Sequence, residues 1–70
     1  MAIKRTKLKE LIDQAGYKPY ILSLKMGYSH SVVYGWLKGQ HEPYARDMIR
    51  LAKLLNVDVE TIVRIFGEDE

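Results

Sequence analysis

The stretch "LSLKMGYSHSVVYGWLKG", Leu22 to Gly39, decides the fold. Upstream of Gly27, "PYILSLKM" reads as a short helix, and Pro19 suits its first turn because the missing N–H would be unpaired there anyway. Downstream, Val32, Val33, Trp36 and Leu37 recur at helical spacing. Ser29 is placed to cap that second helix, and Lys38 and Gly39 close it. Only about three residues then lie between the two helices, with a glycine at the bend, so the second must cross the first steeply. A crossing needs a small residue under it, and Ser23 stands four positions before Gly27. It needs an apolar anchor soon after the bend, and Val33 follows Gly27 by six positions, with Trp36 about one turn on. With Val33 and Trp36 inward, His30, Ser31, Tyr34, Gly35 and Lys38 share the outer face.

The rest of the chain supplies helices to pack against this pair. Thr6 is placed to cap a first helix with Leu8, Leu11, Ile12 and Ala15 inward, and Gly16 stops it. After the polar loop "GQHEPY", a fourth helix, "ARDMIRLAKLL", turns Met48, Leu51, Ala52 and Leu55 to one side. Asn56 suits its left-handed end. Asp58 is placed to cap a fifth helix with Val59, Ile62, Val63 and Phe66 inward, ended by Gly67. No segment alternates as a strand does, and none repeats. The expectation is an all-α domain of five short helices spanning residues 1–70, with a basic N-terminal arm (1–5) and a frayed acidic tail (67–70).

Seventy residues make one domain with one small core, and a 47% apolar fraction is ample for it. Cysteine is absent, so no disulfide or thiolate metal site staples the chain, and two histidines, His30 and His41, are too few for a His-based zinc site unless carboxylates help. No apolar run is long enough to span a bilayer and no signal peptide is visible, so a cytoplasmic protein with no membrane association is expected. Net charge is only +2, but residues 1–40 carry seven Lys/Arg against two acids, and residues 41–70 carry four against seven. A basic first half suits a polyanionic partner, although an ordinary solvated surface has the same composition.

Taken together, "LKELIDQAG", "LSLKMGYSHSVVYGWLKG", the proline of "HEPY" and "LAKLLNVDVETIV" make the chain resemble the phage repressor and Cro-like (Xre-type) helix-turn-helix proteins over residues 6–66. The resemblance implies a compact lambda-repressor-like fold whose third helix lies in the DNA major groove, on double-stranded DNA, as a dimer on a two-fold operator. On that reading the base contacts fall to His30, Ser31, Tyr34 and Gly35. The phosphate contacts fall to Lys18, Tyr20, Ser29, Lys38 and Gln40, and to Lys4 and Arg5 of the basic arm. Gly35 costs about 1 kcal/mol of helix propensity relative to Ala. It either brings backbone close to DNA or makes room for Trp36 or Tyr20. The resemblance puts self-contact in the fifth helix, at Val63, Ile65 and Phe66 with Val59 beside them.

The sequence departs from the family pattern in three ways. Pro19 stands where a glutamine usually donates to a phosphate, leaving Lys18 or Tyr20 to replace it. Ile21 and Leu24 stand where polar residues usually face solvent, and with Tyr20 they form an apolar patch. That patch supports an alternative, a protein-binding adaptor of the same fold, unless Met1 to Ile3 cover it. Trp36 is larger than the usual Ile or Leu. No paired carboxylates, Ser/His/Asp set or phosphate-cradling glycine loop is present, so no catalytic residue, metal or cofactor is expected.

Overall fold

A computed structural model describes residues 3–67. It contains α1 (Thr6–Gln14), α2 (Pro19–Lys25), α3 (Val32–Lys38), α4 (Ala45–Leu55) and α5 (Val59–Gly67), with no strand among the described residues. The first two residues of the arm, and the acidic tail beyond Gly67, lie outside the described residues. So does most of the segment expected to cover the α2 patch; Ile3, its last residue, packs against the core.

The first four helices stop in the same way. A left-handed residue follows each: Gly16, Gly27 and Gly39 with φ of 85°, 83° and 79°, and Asn56 with φ of 59°. At the bend that matters most, Gly27 N–H donates to the Leu24 carbonyl and Tyr28 N–H to the Ser23 carbonyl, both at 3.0 Å. This pairing satisfies the last carbonyls of α2 and turns the chain away from the helix axis. The residues just past three of these stops, Tyr17, Tyr28 and Val57, pack against the core.

α2 and α3 are locked by Ser23. Its side chain is fully buried. The hydroxyl donates to the Pro19 carbonyl at 3.0 Å and accepts the Val33 N–H at 3.0 Å. One of the unpaired N–H groups at the start of α3 is thus capped from a different helix. The expected Ser29 cap is not made: Ser29 receives Val32 N–H on its backbone carbonyl, and α3 begins at Val32 with Ser31 as its flanking residue. Six residues separate the helices rather than three, and His30 and Ser31 lie in the turn before α3. Thr6 is likewise the first helical residue and not a side-chain cap.

The core draws on every helix, and α1 packs against α3, α4 and α5. Trp36 sits at its centre, 2% exposed, edge-on to Tyr28 at 6.2 Å and to Phe66 at 6.3 Å. An aliphatic residue would not reach both neighbours. Tyr28 also donates to the carboxylate of buried Asp47 at 2.5 Å, and Tyr44 N–H donates to the other oxygen at 3.2 Å. The hydrogen bond to Asp47, followed by burial, holds the Tyr28 hydroxyl above the ordinary tyrosine value. This bond ties the turn after α2 to the start of α4.

Four expected burials are corrected. Ala15 is exposed because α1 has already ended at Gln14. Val59 and Val63 are 39% and 47% exposed, because α5 turns Ile62 and Phe66 into the core, Phe66 against Trp36. Met48 is only half-buried. No helix among the described residues is long and apolar enough to cross a membrane.

Ser23→Ala removes the acceptor for a buried N–H and lowers stability by about 1–3 kcal/mol. In a domain of this size each kcal/mol lowers Tm by about 4–8 °C. Ser29→Ala and Ser31→Ala, whose side chains cap nothing, change stability by less than about 0.5 kcal/mol. Urea denaturation of the three variants checks the ordering.

Candidate functional site

α3 has one buried side and one open side. Val33, Trp36 and Leu37 are buried, while Ser29, His30 and Ser31 are exposed at its entry. Lys38 is half-buried at the last turn, and Gln40 is exposed just beyond the Gly39 stop. Tyr34 is half-buried with its ring against the core, so it presents less of itself outward than helical spacing implied. Lys18 flanks the start of α2 and is exposed, as is Tyr20 at 44%. Pro19 is buried at the first helical position, and its carbonyl is engaged by Ser23.

Gly35 is corrected. It lies on the side of α3 away from Val33, as expected, but it is buried, because the imidazole of His41 lies over it. His41 was missed as a member of this face. The signal for it was a glycine in the middle of a helix with a ring-bearing residue just after a glycine stop.

Arg5 is corrected as well. Its guanidinium donates through Nη1 to the Trp36 carbonyl at 2.6 Å and pairs through Nη2 with Glu42 at 3.2 Å. It also lies over the Phe66 ring, 4.8 Å from the centroid, and its side chain is only 15% exposed. The backbone N–H groups of Lys4 and Arg5 both donate to the Leu37 carbonyl at 3.0 Å. Arg5 is therefore a bracket on the end of α3, its guanidinium engaged within the molecule. Lys4 stays exposed, with its aliphatic stem beside Gly39.

The electrostatics of the open side follow from what is left unpaired. Among the described residues the ion pairs are Arg5–Glu42, Lys9–Asp13 and Arg64–Glu60. Lys18, Lys38 and Lys4 join none of them. Lys18 lies at the start of α2, Lys38 in the last turn of α3 and Lys4 beside Gly39. No group of three or more His, Cys, Asp or Glu able to hold a metal ion occurs among the described residues.

Phe66, expected at a self-contact, is 4% exposed and packs on Trp36 beneath Arg5. Ile65 is half-buried against the core, and only Val63 of that trio is exposed. On α2, Leu24 is 54% exposed, but Ile21 is half-buried and contributes less to the apolar patch.

In a comparison with known families, residues 8–62 match the family described as helix-turn-helix. No curated protein and no solved structure was found to match the chain.

Arg5→Ala removes a guanidinium hydrogen bond to a backbone carbonyl and lowers stability by about 2 kcal/mol. Lys4→Ala leaves stability within about 0.5 kcal/mol of the parent. Thermal unfolding followed by circular dichroism separates the bracket from the exposed charge.

Proposed function

Because the chain belongs to the helix-turn-helix family of Xre/Cro-like regulators, whose partner is DNA, we propose that it is a sequence-specific repressor of the small Cro-like kind. In this reading α3 enters the major groove of duplex DNA. The observation that carries it is the division of α3 itself. Its apolar side is locked by Ser23 and Trp36, while Ser29, His30 and Ser31 at its entry and Gln40 beyond its stop are exposed and Lys38 is half-buried.

His30, Ser31 and Tyr34 are the base-contacting residues of this reading. A neutral imidazole offers one donor and one acceptor, which suits a guanine edge, and a hydroxyl discriminates weakly. Lys18, Tyr20, Ser29, Lys38, Gln40 and Lys4 take the phosphates, Lys18 substituting for the donor that Pro19 lacks. Two copies bind a two-fold operator, joined through Val63 and Ile65 of α5 with exposed Val59 one turn away. A dimer multiplies the modest specificity of one short helix. The protein works in the cytoplasm, in a phage or bacterial setting.

A second reading keeps the fold but works through protein contact. Tyr20 and Leu24 are exposed four residues apart on one face of α2. An adaptor would dock a partner there.

In vitro selection from a random duplex pool, followed by fluorescence anisotropy on the selected sequence, tests the DNA reading. It predicts a palindromic site and an affinity that falls steeply with salt. Lys38→Ala reduces the salt slope by about 1, and His30→Ala costs about 1–3 kcal/mol and relaxes preference at one base pair. Unchanged affinity in the His30→Ala/Lys38→Ala double variant removes α3 from the interface. No duplex binding at low salt, together with partner capture lost in Leu24→Ala, favours the adaptor.

A further inference from the structure

At about 100° per residue, Gly35 falls on the side of α3 opposite Val33, close in azimuth to Ser31 and Lys38. A side chain here would project from the middle of the open face. Gly35 projects nothing, yet it is buried. What covers it is the His41 imidazole: a Cβ built on Gly35 would lie 2.8 Å from His41 Nδ1 and nearer still to Cε1. No real Cβ tolerates that approach, so any residue but glycine evicts the ring.

The backbone brings His41 back to this place. Gly39 is left-handed at φ 79°, and Gln40 N–H donates to the Gly35 carbonyl at 2.9 Å. The chain leaving α3 therefore folds against its own last turn. His41 remains an exposed residue, and its ring makes no side-chain hydrogen bond among the described residues. Its ring nitrogens are left available. A glycine in the middle of a seven-residue helix weakens that helix. Here the weak position is also the seat that fixes a ring on the open face.

We propose that His41 reads bases in place of the side chain that Gly35 lacks. The inference rests on the reading that α3 faces duplex DNA. The reading surface is then assembled from two segments: His30, Ser31 and Tyr34 from the turn and helix, and His41 from the loop after it. A neutral imidazole in this position donates one hydrogen bond and accepts one, which suits a base edge. The ring is held by packing on backbone, so little freedom is lost when it meets DNA.

Two single variants and their combination test this, by anisotropy on the selected duplex and on a mixed-sequence duplex of equal length. His41→Ala weakens the selected duplex about tenfold and the mixed one by less than about twofold. Selection with His41→Ala loses preference at one or two base pairs. Gly35→Ala displaces the ring, does not lower Tm because alanine favours the helix, and loses the same factor on the selected duplex. The double variant binds no more weakly than His41→Ala alone. Parent-like binding by His41→Ala overturns the proposal. So does an equal loss on both duplexes, which would make His41 a phosphate ligand, and so do losses that multiply in the double variant. If the parent protein binds no duplex at low salt, the DNA reading falls and this inference with it. Parent binding without a His41 effect removes only this inference.

Discussion

The hydroxyl of Ser23 joins two helices into one unit. It is fully buried, donates to the Pro19 carbonyl of its own helix and accepts Val33 N–H from the next. Only a small residue lets α3 cross so close to α2, and only one with an oxygen can cap α3 from the side. Alanine would fit the space but leave a buried donor unpaired, while a larger residue would push the helices apart. Pro19 fits the same arrangement: it has no N–H to satisfy and supplies the carbonyl that orients the hydroxyl. The departure from the family pattern at Pro19 therefore leaves the lock intact.

A seven-residue helix does not hold its shape alone. α3 is held at three points along its length. Ser23 fixes its start, and Trp36 fixes its middle between Tyr28 and Phe66. Arg5 and the backbone of Lys4 fix its end through the carbonyls of Trp36 and Leu37. Each fixing group lies on the core side or at the termini, which leaves the other side free to meet a partner. A face presented this rigidly loses little conformational freedom on binding. The same economy explains Asp47. A buried carboxylate is tolerated because Tyr28 and Tyr44 both donate to it, and the pair secures the turn that precedes α3.

Much of the fold was legible because its signals are local. Apolar spacing marked the helices, and Gly16, Gly27, Gly39 and Asn56 marked four of their ends. Ser23, Val33 and Trp36 were legible as crossing residues because a tight bend demands them. The start of α3 was not. Ser29 and Ser31 both resemble caps, and nothing local shows that a hydroxyl ten residues upstream reaches across to Val33. Arg5 reads as a free charge in a basic arm, since burial of a guanidinium against Trp36, Glu42 and Phe66 depends on tertiary packing. α5 carries a stripe too wide to orient from spacing. Its contact with Trp36 turns Phe66 in, as the helical spacing implied, but leaves Val59 and Val63 out. In the candidate site, His30 and Ser31 are exposed but lie in the turn before α3 and Lys38 is half-buried, whereas the His41 ring over Gly35 became visible only with the loop in place.

The central claim is that the Ser23-locked pair presents the open side of α3 to duplex DNA. Amide chemical-shift mapping of the labelled protein during titration with the selected duplex tests it most directly. The largest perturbations are expected at Lys18, at Ser29 to Tyr34 and at Lys38 to His41. Perturbations centred on the exposed apolar residues of α4 and α5, Ile49, Val59 and Val63, with α3 unmoved, would contradict it.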